Sequence, residues 1–350
     1  MLTADPRDGA IGRRECDLLF GDFSNHRAIL LAVSGGPDST ALMLLAARWR
    51  SGRKNPPGVI VATVDHRLRK ESKAEAAAVA RLARKLKIPH HTLSWRGAKP
   101  KRGLPEAARE ARYALLLALA KKLKADALVT AHTQDDQAET ILHRIGRGSG
   151  VTGLAGIRRV GKREGVTLLR PFLDVPKARL VASLRKEKVS YALDPTNADP
   201  RFLRPRLRAL APLLAKEGID AARLSSLARR IARAEAAIEA SVNRAHVNSA
   251  LVCGEEKAEY DARVLFAFPE EIGLRLVGRA IDRVGHEGPA ELGKLEALFA
   301  ALGEARRTGN RLRRTLAGAL LDLSDSRLAI TAAPPRRAPK KRSKPRGTAR

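Results

Sequence analysis

At 350 residues the chain is too long for one ordinary domain and comfortable for two, and no run approaches the roughly 18 to 20 apolar residues of a membrane helix. Cys16 and Cys253 stand too far apart for a CxxC motif, and Met1-Leu2-Thr3-Ala4-Asp5 does not open a secretory signal, so a reduced, cytoplasmic protein is expected. Sixty-seven Lys and Arg against 37 Asp and Glu leave a formal charge of +30, whose self-repulsion a nucleic-acid partner would relieve.

In chain order, an N-terminal extension (1–24) carries an amphipathic helix near 13–20 and a turn at Ser24-Asn25. The apolar run 29–33 reads as a fully buried parallel strand, and 39–49 as the helix after it. The unit repeats, with strands at 59–64, 90–95 and 127–131 and helices at 71–87, 105–124 and 134–145. A short fifth strand is expected at 167–169. Such alternation predicts an α/β fold built on a doubly wound parallel five-stranded sheet. Residues 146–165 read as a glycine-rich loop, and 177–188 as a helix after Pro176. Beyond the turn-rich segment 194–200 lies a basic run, 201–208.

The first large domain is expected over 25–217. A smaller, mainly helical domain should fill 218–333, with a long helix at 221–244, a helix-rich stretch at 268–301 and apolar segments near 316–323 and 328–331. Residues 334–350 hold eight Lys and Arg and no acid, a composition expected to stay disordered. Aromatic residues are only 3% of the chain, so RNA contact should run mainly through phosphates.

The strongest local signal is Ser34-Gly35-Gly36-Pro37-Asp38-Ser39, set between a buried strand and a helix. Two glycines let backbone N–H groups converge on one anion at a helix start, and the Ser34 and Ser39 hydroxyls add donors. Asp38 is a poor phosphate ligand by charge and suits a Mg²⁺ ion bridging phosphates. The segment lacks the lysine of a Walker A loop and the GxGxxG spacing of dinucleotide folds. A second signal, His132-Thr133-Gln134-Asp135-Asp136-Gln137-Ala138-Glu139-Thr140, follows the fourth strand. Asp135 or Asp136 with Glu139 would gather carboxylates on one helix face. Ordinary helix-start chemistry, with Thr133 as the cap, accounts for one of the aspartates and leaves His132 and Glu139 unexplained.

The SGGxDS segment resembles the PP-loop of the N-type ATP pyrophosphatases, which split ATP between its α and β phosphates. Further motifs narrow the likeness. The 132–140 segment with Arg147–Ile157 resembles the signature of the tRNA(Ile)-lysidine synthetase family. Asp65-His66-Arg67-Leu68-Arg69 is similar to that family's DHGLR, and Arg109-Glu110-Ala111-Arg112-Tyr113 to its RxxRY. Arg170-Pro171-Phe172 and the 194–199 segment match its RPLL and DP[ST]NxD stretches. Three departures stand out: Arg67 replaces a glycine, Gln134 an alanine, and Pro205 interrupts the basic run where the family reads RNRIR.

The resemblance implies lysine transfer to the wobble cytidine of an isoleucine tRNA with a CAU anticodon, using ATP, Mg²⁺ and free L-lysine. It implies ATP contacts at Ser34–Ser39, Asp65, His66 and His132. Asp136 and Glu139 are candidates to hold the lysine amine and take its proton. Arg112 and Arg204 are candidates for the α-phosphate, since a guanidinium can hold two phosphate oxygens. A homodimer is left open. Rival readings are another PP-loop enzyme acting on tRNA or a small molecule, and a non-catalytic RNA-binding protein. A thiolase would want paired cysteines, which Cys16 and Cys253 do not supply.

Overall fold

Strand β1 (Ala28–Ala32) lies at the centre of the first sheet, and its Ile29, Leu30 and Leu31 are fully buried. Successive side chains point to opposite faces, so a strand buried throughout must be covered on both. Ile29 and Leu31 enter one core with Leu42 and Leu45 of α2 (Pro37–Ser51) and Leu180 of α7 (Lys177–Lys186). Leu30 enters the other with Tyr113, Leu116 and Leu117 of α4 (Leu104–Lys122). The computed structural model describes residues 9–67, 71–97, 99–100, 103–193 and 203–334. The 194–199 motif, Leu68-Arg69 and the tail from 335 lie outside the described residues.

Contacts divide the chain into two compact units, Met1–Ala232 and Arg233–Arg350. The division falls inside α9 (Ala221–Ser249), whereas the domain boundary was expected near 217. The first unit opens with α1 (Arg13–Leu19) and a 3₁₀ turn at Gly21–Asn25. Its sheet adds β2 (Gly58–Asp65), β3 (His90–Ser94), β4 (Ala127–Val129), β5 (Val160–Arg163) and β6 (Val166–Leu169). The order is β3-β2-β1-β4-β6-β5, parallel except at β5. Helices α3 (Ser72–Lys85), α5 (Gln134–Ile145), α6 (Val151–Leu154) and α8 (Leu203–Lys216) complete it.

The sheet therefore has six strands, not five. The extra strand lies in the stretch expected to be loop, because Val-Gly-Lys-Arg carries no apolar alternation. Its pairing comes from Glu164 (φ 48°) and Gly165 (φ 83°), two left-handed residues that join β5 to β6 as a tight antiparallel hairpin.

In the second unit, α10 (Ala262–Leu265), α11 (Glu270–Val284) and α12 (Leu292–Arg307) accompany the end of α9, and helices outweigh strands as expected. A five-stranded antiparallel sheet was not expected. Its strands are β7 (Ala250–Cys253), β8 (Lys257–Asp261), β9 (Leu312–Leu316), β10 (Ala319–Leu323) and β11 (Arg327–Ala332), in the order β7-β8-β11-β10-β9. Alternate residues Ala319, Leu321 and Leu323 of β10 are buried with Leu276, Val277 and Ile281 of α11. The apolar segments near 316–323 and 328–331 are thus strands with one face in the core.

Candidate active site

The order of the first sheet reverses beside β1: β2 and β3 lie to one side, β4 and β6 to the other. Such a switch point leaves a crevice at the carboxyl ends of the central strands. A cavity of about 330 Å³ occurs there, walled by residues that follow β1, β2 and β4 and by side chains of α2, α4, α7 and α8.

On one side the Ser34–Ser39 loop forms its floor. Gly35 has φ 93°, a conformation that a side chain would strain. Its carbonyl accepts from the Thr40 hydroxyl at 3.1 Å and from the Ala192 N–H at 2.9 Å. Gly36 is the N-cap of α2, Pro37 opens the helix, and the first-turn N–H groups have no intrahelical acceptor. The serine hydroxyls were expected to donate to phosphate. Ser39 Oγ accepts from Ser34 N–H (3.1 Å), donates to Gly36 O (3.1 Å) and lies 3.2 Å from Ser34 Oγ, so the pair also fixes the loop's shape.

Asp38 Oδ2 accepts from Lys177 Nζ at 3.1 Å, while its Oδ1 is buried with no partner. Burial raises the Asp38 pKa, Lys177 lowers it, and Asp136 and Asp135 raise it further. An orphaned carboxylate oxygen beside a phosphate nest fits a Mg²⁺ ion, which commonly takes one or two protein carboxylates and completes its shell with phosphate and water. Among the described residues no group of three or more His, Cys, Asp or Glu forms a ready-made metal cage.

Arg109, Arg112, Arg204 and Arg208 also enter the wall, as do His66 and His132. Burial lowers the Arg112 pKa; Arg109 and Arg204 lower it further, while Tyr113 works against them. Lys177 and the four arginines against Asp38 and Asp136 leave the wall net cationic, as a triphosphate requires. Ala32, Ala62, Val64 and Leu116 add apolar lining to the same cavity.

His132 Nδ1 pairs with the Thr130 hydroxyl at 2.8 Å. Burial drives its pKa down to about 3; Asp136 opposes the shift, and Arg170, Arg112 and Arg109 reinforce it. The ring is neutral at physiological pH and acts as a hydrogen-bonding group, not an acid. His66 is likewise shifted down, first by burial and then by Arg112 and Lys99, with Asp65 opposing. Its Nδ1 is buried without a partner.

Three expected site residues are elsewhere than in this wall: Gly35, Asp65 and Glu139. Asp65 Oδ1 accepts from Arg67 N–H (2.8 Å) and the Ser72 hydroxyl (2.7 Å), so it shapes the loop after β2. Burial raises its pKa, but these two bonds together with the charges of Arg67 and His66 outweigh burial and hold it low. Glu139 was expected to meet the lysine amine; it receives both Arg208 Nε and Nη2, the latter at 3.2 Å. Burial still leaves the Glu139 pKa raised, since Arg208 offsets only part of that cost. Asp136 does line the cavity, yet its Oδ2 accepts from Thr133 N–H (2.9 Å) and Thr133 Oγ1 (3.1 Å) in a capping box. Asp135 turns away, its Oδ2 taking the backbone N–H of Lys177 at 2.8 Å.

Sequence reading did not assign Arg109, Thr130, Lys177 or Arg208. Two signals were there to use: Arg109 is three residues before Arg112 and Arg208 four after Arg204, spacings that share a helix face. Pro205 sits in the first turn of α8, where its missing N–H breaks no helical bond, so Arg208 still reaches the wall.

The PP-loop domain family matches residues 11–214. A tRNA(Ile)-lysidine synthase of Rhodopseudomonas palustris is 53% identical over 335 residues, covering 94% of this chain and 97% of that protein. One of Bradyrhizobium diazoefficiens is 49% identical over 95% of this chain and 98% of its own length. The chain belongs to the tRNA(Ile)-lysidine synthase family. Among solved structures, the U34-tRNA thiolase NcsA from Methanococcus maripaludis, with its [4Fe-4S] cluster, has a similar fold. The TM-score is 0.53 at 17% identity, over 63% of this chain and 77% of that one. Within the lysidine synthase pattern Arg67 takes the place of a glycine, and its φ of 54° is the left-handed conformation a glycine adopts freely. No helix among the described residues is long and apolar enough to cross a membrane.

Proposed function

We propose that this chain ligates free L-lysine to C2 of the wobble cytidine in an isoleucine tRNA with a CAU anticodon. The observation that carries the reading is one cavity joining an intact phosphate nest, an orphaned Asp38 carboxylate oxygen and four arginines. Membership of the lysidine synthase family supports it along nearly the whole chain.

The cytosine C2 oxygen is a poor leaving group, so it must first be made a good one. ATP adenylates it, and the bond between the α and β phosphates breaks. Pyrophosphate stays on the N–H groups that open α2, and Arg109, Arg112 and Arg204 face the adenylyl group. A Mg²⁺ ion held by Asp38 would spread the charge of the phosphates. The lysine ε-amine then attacks C2 and AMP departs. An ammonium with a reference pKa near ~10.4 is not a nucleophile at neutral pH, so a carboxylate must take its proton. Asp136 serves this step, since it faces the cavity; Glu139 serves the earlier adenylation by holding Arg208 in the wall.

Incubation with labelled lysine, ATP and the CAU-anticodon isoleucine tRNA tests the reading. Label should reach that tRNA and not a methionine tRNA with the same anticodon. Labelling of neither, with AMP still released, would point to another PP-loop chemistry; binding without AMP would point to a non-catalytic RNA binder.

A further inference from the structure

Lys177 was not expected at the site, and it sits where two separate segments of the chain are tied together. Its backbone N–H donates to Asp135 Oδ2 at 2.8 Å, and the Gln134 N–H donates to Val175 O at 3.1 Å. The start of α5 and the approach to α7 therefore hold each other. Pro176 precedes Lys177 at φ −60°, and Val175 and Leu180 are buried, so the main chain at this point is fixed. From that fixed base the Lys177 side chain enters the cavity wall and ends 3.1 Å from Asp38 Oδ2, beside the phosphate nest.

We infer that Lys177 is a pyrophosphate-binding residue of this site, and that Asp135 is the positioning residue that sets it there. An ammonium carries three donors on a flexible stem, so one can rest on Asp38 while the others take oxygens of the β- and γ-phosphates. The geometry also gives Asp135 a purpose different from that of Asp136. Both open the same helix, but Asp136 faces the cavity and Asp135 is spent on the backbone of Lys177.

The inference rests on the ATP-cleaving reading of this cavity, and it is tested without lysine transfer. Calorimetric titration of inorganic pyrophosphate, and separately of ATP, into the full chain should give about tenfold or weaker affinity for Lys177→Met, the size of one charge-assisted hydrogen bond. Affinity for tRNA should stay within about twofold, because the phosphodiester surface is untouched. Lys177→Arg should recover most of the loss, and Lys177→Gln serves in place of Lys177→Met should the latter fold poorly. Asp135→Ala should weaken pyrophosphate binding in the wild-type background and add nothing to Lys177→Met, while Asp135→Asn, which keeps an acceptor for the Lys177 N–H, should bind as wild type. If Lys177→Met lowers the melting temperature yet binds pyrophosphate as tightly as wild type, Lys177 is a tether between α7 and the loop and the inference fails. Additive losses from Asp135→Ala and Lys177→Met would remove Asp135 from it. Failure of tRNA labelling with normal pyrophosphate binding would count against the proposed substrate and leave this assignment standing.

Discussion

The two units treat buried charge in opposite ways. In the second, Arg275 is 11% exposed and donates to Glu235, Glu239 and Glu271 at 2.7–2.9 Å, with Arg279 on Glu239 as well. In the first, Asp38 Oδ1, His66 Nδ1, Tyr113 Oη, Trp49 Nε1 and Arg170 Nε are buried without any partner, and no such atom occurs among the described residues of the second. Both units bury comparable apolar cores against a sheet. What separates them is polar satisfaction. Unpaired buried polar groups cost roughly 1–3 kcal/mol each, and two of the five, on Asp38 and His66, line the same cavity, which marks where stability is given up for ligand binding. A closed ionic network in the other unit marks structure.

The sharpest way to break that contrast is at Asp38. Asp38→Asn removes the charge and keeps the shape, and AMP formation should fall by about a hundredfold or more, measured as tRNA-dependent AMP release. Melting temperature should hold or rise, because burial disfavours the Asp38 charge by more than Lys177 offsets, and tRNA binding should stay near wild type. An unstable variant with normal AMP release would make Asp38 a structural residue like Arg275.

At Arg275 the opposite is expected. Arg275→Met removes the guanidinium that bonds both carboxylate oxygens of Glu235, which is 3% exposed, and should cost about 3–5 kcal/mol in denaturant unfolding. Turnover measured well below the melting transition should match wild type. A large loss of turnover with intact stability would tie this network to the chemistry and end the distinction between the units.

Glu139 falls between these cases, since it is buried and paired but supports a wall residue. Glu139→Gln keeps an acceptor for Arg208 and loses the charge that burial disfavours. Adenylation should slow about tenfold, within the range for a misplaced catalytic group, with stability unchanged or slightly higher. A slowed lysine transfer with normal adenylation would return Glu139 to the role of amine binder.

These residues also mark how far sequence could go. The phosphate loop was legible because only a nest needs two glycines between a buried strand and a helix. Helix α5 was read to its observed ends, since Thr133 caps it and its acids follow. The roles of the acids were not legible: Asp135, Asp136 and Glu139 share a helix start, and only the fold sends one to Lys177, one to the cavity and one to Arg208. Strand β5 and the second sheet were missed for a related reason. Their pairing depends on left-handed turn residues such as Glu164 and Ala317, types that carry no turn signal.

His132 links stability to pH. Its folded pKa, pushed down to about 3, lies below the ordinary 6.5, so the unfolded chain binds the proton more tightly in that interval. Stability from this group is complete above the unfolded value and is lost as pH falls from there toward the folded one. The loss approaches about 1.4 kcal/mol per pH unit. Between pH 6.5 and 5, wild type should therefore lose more stability than His132→Gln, which cannot titrate. Equal slopes in the two proteins would mean that the ring accepts a proton in the folded state and is as satisfied as the groups of the second unit.

The smallest effect concerns Arg67, a strained residue in the unit that tolerates unsatisfied groups. With φ 54° it pays the left-handed penalty of roughly 1–2 kcal/mol, and it is exposed and absent from the cavity wall. Arg67→Gly removes that strain but gains unfolded-state entropy worth about 0.5–1 kcal/mol, so the net stabilisation should lie between about 0 and 1.5 kcal/mol. The Arg67 N–H bond to Asp65 Oδ1 belongs to the backbone and survives the change. Melting temperature should thus rise slightly, and ATP-dependent lysine transfer at saturating tRNA should not move. The measurement that decides the matter is the salt dependence of tRNA binding. An unchanged log–log slope would make Arg67 an incidental cost on an otherwise glycine-like turn. A slope shallower by roughly 0.7 to 0.9 would mean that the guanidinium holds one phosphate of the RNA, and that even this strain is kept for the ligand.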